Sequence, residues 1–211
     1  MSYLDIKALD AAPLIGEPFE YVIVEGFVPQ GFAAEIGADY PAIDKPGSFT
    51  LDDVPVRGAF EALIAEMSGE TFCKAVEAKF GLSLADKATT FTVRGQSGDK
   101  DGYIHTDSKT KVITVLLYLN EAWAPDGGRL RLLRGPDDLE DFVVEAPPNF
   151  GSLLIFRRSD RSWHGHKPFI GPRRVVQMNW VTSSGVARWQ LFRHRVSAVV
   201  KRLAPAKAGV A

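Results

Sequence analysis

A single cysteine, Cys73, stands among the 211 residues, so no internal disulfide can form. Charge of either sign is not in excess: 25 Lys and Arg face 26 Asp and Glu, a formal net charge of -1. That balance removes any bulk electrostatic reason to bind nucleic acid or an anionic membrane. No long apolar run is present. The longest, Val112 to Leu119, falls far short of the roughly 20 residues a spanning helix needs. The opening Met1-Ser-Tyr-Leu-Asp-Ile-Lys7 has neither the basic nor the apolar stretch of a secretory leader, which makes a reducing cytoplasm the expected compartment. Internal repeats and low-complexity segments are also missing.

What is there is an ordinary globular composition, 45% apolar and 24% charged, in a length that suits one domain with a sizeable core. Its texture changes along the chain. Up to residue 88 it mixes helical and extended signals: Tyr21 to Glu25 reads as a strand, Pro29 as the first turn of a helix, and Arg57 to Met67 and Glu70 to Phe80 as helices. In the last of these Phe72, Cys73, Val76 and Phe80 share a face, so Cys73 is expected to be a buried core thiol rather than a nucleophile. From 89 to 182 short strand-like runs alternate with breakers such as Ala124-Pro-Asp-Gly-Gly128 and Pro147-Pro-Asn-Phe-Gly151. The runs are Thr90–Arg94, Tyr103–Asp107, Lys111–Asn120, Arg129–Arg134, Phe142–Glu145, Ser152–Phe156, His164–Phe169 and Arg174–Val181. They predict a mainly β fold with flanking helices, its core a jelly roll, with an immunoglobulin-type sandwich as the competitor. Apolar residues at helical spacing over 186–204 predict a C-terminal helix covering a sheet face.

Chemistry concentrates in two places. In Tyr103-Ile-His-Thr-Asp107, strand alternation puts Tyr103, His105 and Asp107 on one side, so an imidazole and a carboxylate can reach one cation. That is half of a 2-His-1-carboxylate site, which leaves coordination positions open. A His-x-Asp pair alone is weak, since surface pairs of this kind are common. A second source of histidine follows in Ser162-Trp-His-Gly-His166, and two arginines then head the extended run Gly171 to Trp180. An arginine near a metal is a natural bidentate clamp for an anionic cosubstrate.

The order His-x-Asp, Val-Leu-Leu-Tyr-Leu-Asn-Glu-Ala-Trp, Gly-Gly, Gly-Ser-Leu-Leu-Ile-Phe, Trp-His-Gly-His-Lys-Pro and then Arg resembles the iron(II)/2-oxoglutarate-dependent oxygenase superfamily, in particular its prolyl 4-hydroxylase-like branch. The resemblance covers Thr89 to Val181 and implies a double-stranded β-helix core. It implies iron(II) held by His105, Asp107 and His164, with His166 a competitor for the third place that more readily lines the pocket. It implies 2-oxoglutarate as cosubstrate, its far carboxylate held by Arg174, which lies ten residues after His164 and six before Trp180. Tyr118 is similar to a family tyrosine that shares that carboxylate. Tyr103, with Arg94, is expected at the cosubstrate side of the mouth, and Arg173 on the opposite face as a surface charge. The loop Gly95 to Gly102 carries no substrate signature, and the last strand lacks the second arginine of the nucleic-acid demethylases. The implied reaction is hydroxylation of a C–H bond in a protein side chain, amino acid or small metabolite. The competing readings are a metal- or carbohydrate-binding jelly roll, and a cupin-type metalloenzyme that does not use 2-oxoglutarate.

Overall fold

The computed structural model describes residues 2–183 together with Gly185, Val186 and Trp189. Helix α1 (Ile6–Ala11) leads into strand β1 (Tyr21–Val24), a 3-10 turn and helix α2 (Ala33–Asp39). A short strand β2 (Phe49–Thr50) precedes helices α3 (Gly58–Met67) and α4 (Glu70–Phe80). The β-rich part follows: β3 (Ala88–Ser97), β4 (Lys111–Tyr118), β5 (Arg131–Leu133), β6 (Phe142–Glu145), β7 (Leu153–Arg157), β8 (His164–Gly165) and β9 (Gly171–Val181). Six strands form a major sheet in the order β1-β7-β4-β9-β3-β2, and three form a minor sheet in the order β6-β5-β8. Every named strand pair is antiparallel. These two antiparallel sheets are the expected jelly-roll core.

Alternation along the strands divides the major sheet into two faces with different partners. Val93, Ile113, Val115, Leu117, Val176, Met178 and Trp180 pack against the apolar stripes of α3 and α4, including Leu63, Met67, Phe72 and Val76. Phe72 lies against Trp180 with ring centroids 6.0 Å apart. The other face, with Leu116, Tyr118, Leu154, Phe156 and Val175, turns toward the minor sheet and packs with Leu130 and Leu132. The helices therefore cap one side of the sheet and leave the interior between the sheets for a site.

Helices α3 and α4 lie where apolar spacing puts them, Phe60, Leu63, Ile64 and Met67 all buried in the first. The left-handed Gly81 closes α4, its N–H donating to the Glu77 carbonyl. Cys73 is half-buried rather than buried, at the margin of the stripe formed by Phe72, Val76 and Phe80. Two expected strands fail to form as such. Tyr103–Asp107 is an irregular segment with one bridge, His105 to His164, and His164–Phe169 is reduced to the two residues of β8. The first is preceded by Gly102, whose φ of +101 suits glycine and where a Cβ would lie 2.3 Å from the His166 carbonyl oxygen. Apart from Val186 and Trp189, the C-terminal helix expected over 186–204 lies outside the described residues.

Candidate metal and cosubstrate site

The bridge between His105 and His164 is what brings the two histidines together. Each backbone N–H donates to the other's carbonyl at 3.0 Å, and the rings end 4.4 Å apart by centroid. Asp107, two residues on, reaches the same point, so that one ligand atom from each of His105, Asp107 and His164 lies within 4.8 Å of the others. That is a three-donor set with nitrogen and oxygen ligands, the chemistry of first-row divalent metals. Both imidazoles are aimed by a backbone carbonyl: His105 Nδ1 meets the Tyr103 carbonyl and His164 Nδ1 that of Ser162, each at 2.8 Å. With Nδ1 engaged, Nε2 is the atom each ring has free for a metal. The flanking residues of both histidine motifs thus act through main-chain atoms, which any side chain could supply.

Asp107 is buried and doubly held. Lys111 donates from Nζ to Oδ1 at 2.6 Å, and Thr114 donates from Oγ1 to Oδ2 at 2.5 Å. Burial pushes the Asp107 carboxyl up, but the Lys111 ammonium, the neighbouring His164 and those two hydrogen bonds bring it down to about 2. Desolvation lowers the His164 imidazole to about 4, against the pull of Asp107. Carboxylate and neutral imidazole, the forms a metal requires, are therefore the resting forms at neutral pH.

The triad opens into a cavity of about 130 Å3 whose walls come from both sheets. Leu116, Leu130, Phe156 and Val175 supply the apolar side; Arg94, Asp101, His166, Arg173 and Gln177 supply the polar side. His166 stands where the sequence suggested, a buried wall residue with Nδ1 on the Lys167 carbonyl, and burial lowers its imidazole to about 4. Arg94 lines the cavity and pairs with Asp101 at 3.0 Å.

The arginines of β9 are reversed relative to expectation. Arg174 points to the helix side of the sheet, its guanidinium 5.4 Å from the Tyr40 ring centroid, and it lines a separate surface depression with Asn120 and Trp123. Arg173 is the one that enters the cavity; it is 5% exposed. Arg174 has the spacing to His164 and Trp180 that the resemblance implies, but it shares its face with Val176, Met178 and Trp180. That apolar face is covered by α3 and α4, whereas Arg173 shares its face with Val175, Gln177 and Asn179. Among the described residues no carboxylate forms an ion pair with Arg173. Its Nε donates to the Gly128 carbonyl at 2.9 Å, and burial lowers its pKa. Asp101 pulls on it, but that carboxylate is the partner of Arg94.

Beside Arg173 lies Tyr118, completely buried, with the guanidinium carbon 5.5 Å from its ring centroid. The Tyr118 hydroxyl has no hydrogen-bond partner among the described residues. A buried cation and a buried hydroxyl are each costly unless paired; the two lie side by side, and burial pushes the Tyr118 hydroxyl up against the downward pull of the Arg173 charge. Tyr103, in contrast, is 73% exposed and not part of the cavity lining.

Comparison with known proteins bears on the fold that carries this site. Residues 94–182 match the family model described as the 2OG-Fe(II) oxygenase superfamily. That match covers the β-rich part of the chain from β3 to β9. No curated protein matches the chain. Among solved structures, a prolyl 4-hydroxylase from Phytophthora capsici superposes with a TM-score of 0.57 at 20% identity, covering 92% of this chain and 72% of that one. HygX from Streptomyces hygroscopicus, solved with nickel and 2-oxoglutarate bound, gives a TM-score of 0.53 at 10% identity, covering 76% of this chain and 81% of that one. A Trichoplax adhaerens prolyl hydroxylase in complex with a hypoxia inducible factor peptide fragment gives 0.51 at 18% identity, with 88% and 90% covered. At these identities the likeness to prolyl hydroxylases is one of fold. Among the described residues, no helix is long and apolar enough to cross a membrane.

Proposed function

We propose that this oxygenase core is an iron(II)- and 2-oxoglutarate-dependent dioxygenase that hydroxylates a C–H bond, with His105, Asp107 and His164 as metal ligands and Arg173, not Arg174, as the anchor of the cosubstrate. The observation that carries the reading is the buried Arg173 guanidinium in the wall of the cavity onto which the triad opens, with the buried Tyr118 ring beside it. A dicarboxylate chelating the metal through its 2-oxo acid end would place its far carboxylate on this pair. Iron, when bound, supplies the redox chemistry that couples oxidative decarboxylation of 2-oxoglutarate to hydroxylation. The protein's part is positional. Arg173 and Tyr118 fix the cosubstrate, the backbone carbonyls of Tyr103 and Ser162 orient the two imidazoles, and Leu116, Leu130, Phe156 and Val175 keep bulk water from the interior face.

A carbohydrate-binding jelly roll or a cupin without 2-oxoglutarate leaves both Arg173 and Tyr118 without a function, which is why neither is preferred. The near-neutral charge supports a substrate other than nucleic acid, and the single half-buried thiol suits the reducing cytoplasm. The purified protein with iron(II), oxygen and 2-oxoglutarate is expected to release succinate slowly without added substrate, and the Arg173→Met variant not to. Equal succinate release by wild type and by the His164→Ala variant would exclude the triad as the seat of the reaction.

A further inference from the structure

The group on Asp107 that the reaction does not require is the ammonium of Lys111. Its Nζ sits 2.6 Å from Oδ1 of the carboxylate, with 14% of the lysine side chain exposed and 8% of the aspartate. The position is fixed by a short turn: the Lys111 N–H donates to the Ser108 carbonyl, and the Thr182 N–H to that of Thr110. The pairing of β4 with β9 also shifts register between Lys111 and Ile113. A nearby arginine, Arg158, touches only the Asp107 main-chain carbonyl and spends its guanidinium on Asp160.

Both carboxylate oxygens are therefore engaged, and a metal must take one. Only one of the two donors has somewhere else to go. The Thr114 hydroxyl lies 3.2 Å from Asn179 Oδ1, an acceptor already joined to Gln177 Nε2 at 3.1 Å. Rotating that hydroxyl frees Oδ2, whereas among the described residues Lys111 has no second acceptor shown. Oδ2 would therefore be the oxygen available to a metal, with the ammonium remaining on Oδ1 of the same carboxylate.

We infer that Lys111 is a built-in counter-ion that holds the empty site together and sets a ceiling on its metal affinity. The inference rests on the ligand assignment above. Without a metal, a buried Asp107 carboxylate next to two imidazoles needs a cation, and Lys111 is that cation. With a metal bound, the same charge would repel the dication across the shared carboxylate and draw electron density from it, weakening it as a ligand. The two roles have opposite signs, and that separates them from a merely structural one. Loss of the ammonium should destabilise the apo protein and tighten the metal.

The test is a cobalt(II) titration of the full chain, followed by the visible absorption of the bound ion, with apo melting temperature measured in parallel. Lys111→Met and Lys111→Gln are expected to bind cobalt at least about tenfold more tightly than wild type, by the loss of a like charge at that range. Both should melt at lower temperature when metal-free. Lys111→Arg keeps the charge and is expected to stay within about threefold of wild type. Neutral variants that bind cobalt as wild type does, or more weakly, overturn the inference, as does a Lys111→Arg protein that tightens like them. A wild-type protein that binds no cobalt overturns the ligand assignment itself.

Discussion

Replacing Arg173 by methionine separates the two things a buried cation can do. In the free protein the guanidinium is buried, its one hydrogen bond shown goes to the Gly128 carbonyl, and no ion pair is formed among the described residues. Methionine retains most of the volume and removes the desolvation cost, so the apo protein should change by less than about 1 kcal/mol, or gain stability. With metal and 2-oxoglutarate present the sign reverses. The carboxylate would lose its charge-assisted partner while Tyr118 and the metal remain. Truncating one side of such a pair costs on the order of 2–5 kcal/mol, which is roughly 30-fold to several thousand-fold in Kd. The assay is calorimetric titration of 2-oxoglutarate into the manganese(II) protein, with melting curves of the apo form alongside. Arg174→Met is the control. It faces Tyr40 across the sheet and should leave the affinity within about twofold. Tight binding by Arg173→Met, or loss of binding by Arg174→Met, would refute the reasoning.

Other consequences are open to test. His164→Ala should abolish stoichiometric metal binding, while His166→Ala, which removes a wall residue held on the Lys167 carbonyl, should retain most of it in the same titration. The pH dependence of the apo protein follows from two imidazoles lowered from about 6.5 to about 4. Above the unfolded value neither state binds the protons. Below it the unfolded chain takes them up and the folded one does not, so stability falls with decreasing pH from about 6.5 to about 4. The slope should approach about 1.4 kcal/mol per pH unit for each histidine, read from urea melts. Gly102→Ala should destabilise by roughly 1–3 kcal/mol, because φ is +101 and the new methyl meets the His166 carbonyl.

Legibility in the sequence followed periodicity. Helices α3 and α4 declare themselves because each buries one regular face, and strand β6 and most of β4 and β9 because each is an apolar, β-branched run between breakers. The segments that carry the ligands do not. Tyr103–Asp107 reads as an alternating strand, but Gly102 and the isolated His105 to His164 bridge make it irregular, which exposes Tyr103 while burying Asp107. The placement of Arg173 and Arg174 was illegible for a different reason. Both faces of β9 are buried, so burial could not tell them apart; the missing information was which face the helices cover. The sequence held one clue in the polar residues Gln177 and Asn179, which share a face with Arg173: Gln177 lines the cavity and donates to Asn179, where an apolar helix interface would exclude both. Lys111 and Thr114 escaped notice because their role comes from the fold around Asp107 rather than from a motif.

The central claim is that one cavity holds a metal on three side chains and a dicarboxylate on Arg173. An anaerobic crystal structure with manganese(II) and 2-oxoglutarate tests it directly. The account predicts one ion about 2.0–2.2 Å from His105, Asp107 and His164, with the far carboxylate against the Arg173 guanidinium and the Tyr118 hydroxyl. A carboxylate on Arg174, or an ion away from the triad, would contradict it.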